Sequence, residues 1–264
     1  MCRWVAYAGA EIYLEDIIFD QDYSIVQQSL SARESIWSTN GDGFGVAWYS
    51  DKPTPGIFKD ILPAWHDQNL RSVAAQIKSR LFFTHVRATT GTSVARSNCH
   101  PFNYENWLFM HNGSIGYWNE CRKEIESLIH PEYYPHRQGV TDSEALFLIA
   151  LSNGLKDDPV KAMRKSIRKV LKIMNQIGNA EPLRISASCT DGKKIWAFRF
   201  SSDHQSPTLY YGSPKTHAEV FFKDQINTIS SEPSDNDADH WHTVDEDSYI
   251  VWSKGRVEVL KLEI

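Results

Sequence analysis

The sequence predicts an α/β fold in which two β-sheets pack together and are covered by helices. Three observations carry this expectation. Several strands are apolar on both faces, the two central helices differ in how much of their circumference is apolar, and strands dominate both ends of the chain. A sheet that hides both faces needs a layer against each, which a second sheet on one side and helices on the other supply.

Residues 5–7 (VAY) read as a short buried strand, and FGVAWY at 44–49 follows the turn Asn40-Gly41-Asp42-Gly43 as another. Asp67 caps a helix predicted to run through Arg80, in which Leu70, Val73, Ala74 and Ile77 recur at i, i+3, i+4 and i+7. That helix feeds into the strand LFFTHVR at 81–87. WLFMHNG at 107–113 is a further strand apolar on both faces, predicted to end abruptly at Asn112-Gly113. A capping box, Thr141-x-x-Glu144, opens a helix whose 145–151 run is apolar all round, so it is expected between other layers. The next helix, 159–178, places Val160, Met163, Ile167, Val170, Leu171, Met174 and Ile177 on one stripe opposite Lys and Arg, and is expected outside. Beyond it the chain turns β-rich. LRISASC at 183–189 and KKIWAFRF at 193–200 form a hairpin about Asp191-Gly192, followed by TLYYG (208–212), AEVFF (218–222) and SYIVWSKGRVEVLKL (248–262). The acidic stretch 234–239 is expected to be a solvated loop. With no Pro/Ser-rich linker, repeat or low-complexity tract, residues 1–264 are expected to form a single domain.

A net charge of -5 and a pI near 6.1 provide no basic field for a polyphosphate backbone, so no nucleic acid partner is expected and the substrate should be a small molecule. No apolar run approaches the roughly 18 to 20 residues that span a bilayer, and no signal segment opens the chain, which points to a cytoplasmic protein without a membrane partner. Cys2, Cys99, Cys121 and Cys189 form no CxxC pair, so neither a zinc ribbon, a redox motif nor a disulfide framework is indicated. No metal or organic cofactor is implied.

Cys2 stands apart from the other cysteines. If Met1 is removed, Cys2 presents a thiol and an α-amine on adjacent carbons, and a free α-amine titrates near pH 7.7 to 8.0, suited to a general base at neutral pH. An N-terminal nucleophile activated by its own amine is a known route, although Met-Cys alone is weak evidence. Asn112-Gly113 can supply two donors to the oxyanion of a tetrahedral intermediate, or can be a hairpin turn. Arg87, in His85-Val86-Arg87-Ala88-Thr89-Thr90-Gly91, can clamp a substrate carboxylate or make a structural salt bridge. Asp142 can bind an ammonium group or favour its helix N-terminus. In Asn98-Cys99-His100-Pro101-Phe102, adjacent Cys and His on an extended segment point to opposite sides, which fits a structural loop better than a metal half-site. Gly41-Asp42-Gly43-Phe44-Gly45 lacks the signature of a phosphate cradle and reads as a tight turn bringing backbone close to a site.

Taken in order, Met1-Cys2, NGDGFGVAWY at 40–49, HVRATTG at 85–91, NCHPF at 98–102, HNGSI at 111–115, TDSEA at 141–145 and SSEP at 230–233 resemble the stand-alone class II glutamine amidotransferases, over nearly the whole chain. The resemblance implies the four-layer α/β/β/α sandwich of the N-terminal-nucleophile hydrolase type, in agreement with the two-sheet expectation. It also implies Cys2 as nucleophile and base, Asn112 and Gly113 as oxyanion hole, Arg87 and Thr90 on a glutamine α-carboxylate, and Asp142 on its α-ammonium group. His111, within HNGSI, is grouped with the substrate-binding residues. Arg33, in SARES, matches no motif and is left out.

Two departures bear on function. The chain leaves no room for the ammonia-consuming domain of fused members, and Ala88 replaces the tryptophan that follows the arginine in sugar-phosphate members. Some stand-alone relatives cleave γ-glutamyl bonds in glutathione-like peptides or an ergothioneine precursor. Three expectations result: a glutamine amidotransferase or amidohydrolase working through a γ-glutamyl thioester, a γ-glutamyl peptide or conjugate hydrolase, or a non-catalytic subunit of a partner synthase.

Overall fold

The computed structural model describes residues 2–31, 33, 39–89, 91–178, 181–214 and 227–264. Thr90 and the strand expected at 218–222 lie outside the described residues. The first half of the chain contributes β1 (Arg3–Tyr13), α1 (Glu15–Ile18), α2 (Ile25–Leu30), β2 (Phe44–Trp48), β3 (Gly56–Asp60), α3 (Gln68–Ala74), β4 (Lys78–Val86), β5 (Phe102–Tyr104), β6 (Trp107–Ile115) and α4 (Trp118–Glu126). The second half contributes α5 (Asp142–Ser152), α6 (Pro159–Gln176), β7 (Leu183–Thr190), β8 (Ile195–Ser201), β9 (Tyr210–Gly212), β10 (Thr228–Ser230), β11 (Trp241–Thr243), β12 (Ser248–Ser253) and β13 (Arg256–Lys261).

These strands form two antiparallel sheets, one ordered β11-β9-β10-β1-β4-β2-β3 and the other β13-β12-β8-β7-β6-β5. Side chains alternate along a strand, so each sheet serves two cores. Trp4, Ala6 and Ala8 of β1 meet Leu108 and Met110 of β6, with Phe83, Ile195, Ala197 and Ile250, in the space between the sheets. The intervening residues Val5 and Tyr7 face the other way, onto Ile17, Ile18, Ile25, Val26 and Leu70 from the α1–α3 layer. Phe109, Ile185 and Ala187 likewise pack outward on the α4–α6 layer, against Ile125, Phe147, Met163 and Ile167. Three cores separated by two sheets make the four-layer α/β/β/α sandwich. The Trp4 indole also ties the sheets together, donating to the Ser186 carbonyl at 3.1 Å.

The helices follow their sequence patterns. α5 is buried all round from Ser143 to Leu151, because β6 lies on one side of it and α4 and α6 on others. α6 buries Ala162, Met163, Ile167, Val170 and Met174 and turns its basic residues outward, but it ends at Gln176, so Ile177, expected on the stripe, lies past the helix end and is exposed. Asp67 caps α3 through the Leu70 amide at 2.7 Å, but α3 ends at Ala74 and not at Arg80. β1 is longer than the expected VAY, and its far end pairs Ile12 with Ser79 and Tyr13 with Lys78, drawing those residues into β4. The box at α5 is also half of what the pattern predicts. Thr141 Oγ1 accepts from the Glu144 amide at 3.2 Å, whereas the Glu144 carboxylate turns to the Gln138 and Gly139 amides and to Arg137. In the acidic stretch, residues 236–239 are exposed as expected, but Asp235 accepts from the Trp241 indole at 3.1 Å and pairs with His240. Among the described residues no helix is long and apolar enough to cross a membrane.

Candidate active site

Cys2 continues the inward row of β1 by one step beyond Trp4, and Asn112 continues the inward row of β6 beyond Met110. The two rows belong to different sheets, so where the shared core runs out the two residues reach a common cleft. This cleft, of about 450 Å³, is lined by Cys2, Arg87, His111, Asn112, Gly113 and Asp142. Every predicted site residue that is described therefore lines one space. Of the predicted set, Thr90 alone lies outside the described residues.

The Cys2 thiol is half-buried, with Sγ 3.6 Å from the Ala88 carbonyl oxygen. Burial pushes its pKa up, while the Arg87 and Arg3 guanidinium charges pull against that rise. A thiol held up in this way is protonated at neutral pH and needs a base before it can attack carbon.

Arg87 follows the last residue of β4 and is braced by residues 42–43, which lead into β2. Its amide donates to Gly43 O at 2.8 Å, its carbonyl accepts from the Asp42 amide at 3.0 Å, and the Asp42 carboxylate accepts from the Thr89 amide at 2.8 Å. The segment expected as a tight turn is a bend at Asp42 running into β2 at Phe44, and it is this backbone, brought close to the site, that sets the arginine. Its guanidinium donates to neutral oxygens: Thr92 Oγ1 at 2.6 Å, Thr89 Oγ1 and Ser93 O at 3.3 Å, and Asp42 O at 3.4 Å. The alternative of a structural salt bridge is not realised among the described residues. A buried cation held by neutral acceptors favours an anion in the adjoining cleft.

Asn112 and Gly113 do not end a strand. β6 continues to Ile115, and the two residues pair with Ser186 and Ile185 of β7, so the hairpin-turn alternative is excluded. Glycine is required here by close approach, since a Cβ at 113 would fall on the Arg184 carbonyl oxygen and against His111 Nε2. Asn112 is 2% exposed and its Oδ1 has no hydrogen-bond partner among the described residues. Asp142, at the start of α5, bridges layers. Its Oδ2 accepts from the Ile115 amide and its Oδ1 from the Ser143 amide, both at 2.8 Å. No Lys or Arg side chain pairs with it among the described residues.

His111 faces α5, with Nδ1 2.9 Å from Ser143 Oγ and Nε2 3.3 Å from Arg184 O. Burial lowers its pKa against the opposing pull of Asp142, which favours the neutral ring. The neutral tautomer that satisfies both contacts donates from Nε2 to Arg184 O and accepts from Ser143 at Nδ1. Both ring nitrogens are thus used within the protein.

Sequence reasoning did not single out His85 and His100 for the site. Their rings stack at 4.1 Å between centroids, both are buried, and among the described residues none of their four ring nitrogens makes a hydrogen bond of good geometry, the His111 backbone lying nearest to His85. Burial, with Arg87, His111 and Lys59 nearby, holds His85 down to about 3 and His100 well below its ordinary value. Cys99 diverges from His100 as expected, its Sγ lying 3.5 Å from the Asp60 carbonyl. The available signal was that both histidines sit within the two motifs flanking the site.

The model of the glutamine amidotransferase class-II family matches residues 17–263. The probable glutamine amidotransferase DUG3 of Saccharomyces cerevisiae is 32% identical over 249 residues, covering 83% of this chain and 70% of that protein. The gamma-glutamyl-hercynylcysteine sulfoxide hydrolase of Mycolicibacterium smegmatis is 33% identical over 117 residues, 44% of this chain and 52% of its own length. Among solved structures, a glutamine aminotransferase class-II domain protein from Silicibacter pomeroyi superposes with a TM-score of 0.77 at 35% identity over the whole of both chains. The glutamine phosphoribosylpyrophosphate amidotransferase of B. subtilis superposes with a TM-score of 0.64 at 14% identity, over all of this chain and 50% of that one, a likeness of fold alone. The sandwich is accordingly of the N-terminal-nucleophile hydrolase type.

Proposed function

This chain belongs to the class-II glutamine amidotransferases, and on that premise we propose that it cleaves a γ-glutamyl amide with Cys2 as nucleophile. The observation that carries this reading is the convergence, in one cleft, of a thiol near the chain start, the Asn112-Gly113 pair and an arginine paired to no carboxylate among the described residues. Arg87, with Thr90, takes the substrate α-carboxylate, and Asp142 takes the α-ammonium group. His111, occupied by Ser143 and Arg184, holds the wall against which the substrate lies.

With Met1 removed, the α-amine of Cys2 accepts the thiol proton and Sγ attacks the γ-carbonyl carbon. The carbonyl π electrons move to oxygen, where the Asn112 amide and the Gly113 N–H stabilise the oxyanion. Collapse expels the amine, which takes the proton from the α-ammonium, and leaves a γ-glutamyl thioester. Water, deprotonated by the Cys2 α-amine, then attacks the thioester carbonyl and releases glutamate, and the departing thiolate takes the proton back from the α-ammonium. Residues 1–264 act in this reading as one glutaminase-type domain, in the cytoplasm, on a small molecule.

A second reading concerns only the leaving group. The cleft extends past the predicted residues to Tyr117, Trp118 and Arg184, giving aromatic surface beyond what a carboxamide nitrogen needs. A γ-glutamyl peptide or conjugate would use it. The test is release of ammonia and glutamate from glutamine, and of amine from a panel of γ-glutamyl amides, by wild type and Cys2→Ala, with the mass of the natural N-terminus. Turnover should vanish in Cys2→Ala and the mass should lack Met1. Undiminished turnover in that variant would sink the mechanism, and activity arising only on adding a synthase would favour a subunit role.

A further inference from the structure

The sequence motif SSEP at 230–233 takes no part in the chemistry above, yet it contains Glu232, whose side chain is 0% exposed. Its partner is Arg3, 1% exposed, whose Nε donates to Glu232 Oε1 at 2.5 Å and whose Nη2 completes the ion pair. The same guanidinium donates from Nη1 to the carbonyl oxygen of Cys2 at 2.8 Å. Strand pairing fixes both ends. Val5 pairs with Ser230, the Ser231 amide donates to Trp4 O at 3.0 Å, and the Trp4 amide donates to Ser231 Oγ at 3.0 Å. Glu232 also accepts from the Arg33 amide at 3.3 Å.

We propose that Glu232, acting through Arg3, is a positioning residue for the Cys2 nucleophile. The carbonyl that Arg3 holds belongs to the peptide plane leaving Cys2, so fixing it fixes the position of the Cys2 Cα and the direction of its Cα–C bond. The thiol and the α-amine are the two other substituents on the same Cα. Holding the plane therefore fixes the point and the axis from which both reacting groups reach toward Ala88 and the cleft. Arg3 itself lies on the opposite strand face, with Val5, and never enters the cleft lining. A buried ion pair is a poor device for stability alone, because its desolvation cost offsets most of the attraction, so an ordering role accounts better for placing one beside residue 2.

This inference rests on Cys2 being the nucleophile, and the test separates the two. Glu232→Gln and wild type are compared for kcat and KM with a γ-glutamyl amide, for the rate of Cys2 alkylation by iodoacetamide read by mass spectrometry, and for thermal unfolding. The expected result is a folded variant with kcat and alkylation rate each down about 10- to 100-fold and KM within about two-fold. A folded variant that alkylates and turns over at the wild-type rate overturns the proposal. If Glu232→Gln does not fold, the paired Arg3→Met/Glu232→Leu variant, which leaves no orphaned charge, is read the same way. The alkylation rate needs no substrate, so inactivity of wild type toward γ-glutamyl amides would count against the proposed function and leave this measurement decisive.

Discussion

Lowering the pH from 7 to 5 should destabilise the fold through the stacked pair His85 and His100. His85 has an ordinary pKa of 6.5 and is held to about 3 by burial, with His100 depressed in the same direction. Between those values the unfolded chain binds a proton that the folded chain refuses, so stability is full above about pH 6.5 and is lost as pH falls toward 3. For His85 the loss between pH 7 and pH 5 is about 2 kcal/mol, and His100 adds to it in the same direction. Buried His111 adds in the same direction, whereas Asp60 and Asp203, whose carboxyl pKa values are lowered by Arg96 and Arg184, weaken the fold only below the ordinary carboxylate range. Urea unfolding at the two pH values measures the sum. His100→Phe removes one titrating ring without orphaning a partner, since both His100 nitrogens are unpartnered, and keeps an aromatic face on His85. That variant should lose less stability than wild type between pH 7 and pH 5. Equal pH dependence in the two proteins would mean that the rings take up protons inside the fold, and the assignment of a dry, neutral pair would fail.

Two further outcomes follow from the cleft. Arg87→Lys keeps the charge but loses the planar fork, and with it about 1.5 to 3 kcal/mol of charged hydrogen bonding, so steady-state kinetics should show kcat/KM down roughly 10- to 150-fold, mainly in KM. Gly113→Ala puts a Cβ onto the Arg184 carbonyl and His111, which forces β6 from β7. Thermal unfolding should show a loss of about 1 to 3 kcal/mol together with loss of turnover, and an unchanged melting curve would show that the strand yields without cost.

Periodicity made most of the fold legible because the cores are sorted by strand alternation and helical stripes, both of which are local patterns. It misjudged elements whose limits are set by distant partners. Lys78 and Ser79 look helical in sequence and are strand because β1 offers Tyr13 and Ile12 to pair with. Asn112-Gly113 looks like a turn and is strand because β7 lies alongside. At the site, Cys2, Arg87, Asn112, Gly113 and Asp142 were legible as residue types in ordered motifs. Arg3 and Glu232 were not, because a charge pair 229 positions apart in sequence has no local signature; only its placement on β1 and beyond β10 brings the two together.

The same sorting by alternation explains why Cys2, the proposed nucleophile, stands where it does. β1 is central in its sheet, between β10 and β4, and β6 lies between β5 and β7 in the other. A nucleophile on one inward row and its oxyanion donor on the facing row are then separated by the thickness of the inter-sheet core, about 10 Å between sheet planes, less the reach of both side chains. That spacing is fixed by Trp4, Met110 and their neighbours and by the Trp4 bond to Ser186, none of which touches substrate. Rigid packing between the sheets accordingly does in this fold what a hydrogen-bonded third residue does where nucleophile and base lie on separate side chains. It sets the approach of Cys2 to Asn112, leaving the Arg3–Glu232 pair to hold the Cα from which the thiol and α-amine of Cys2 project.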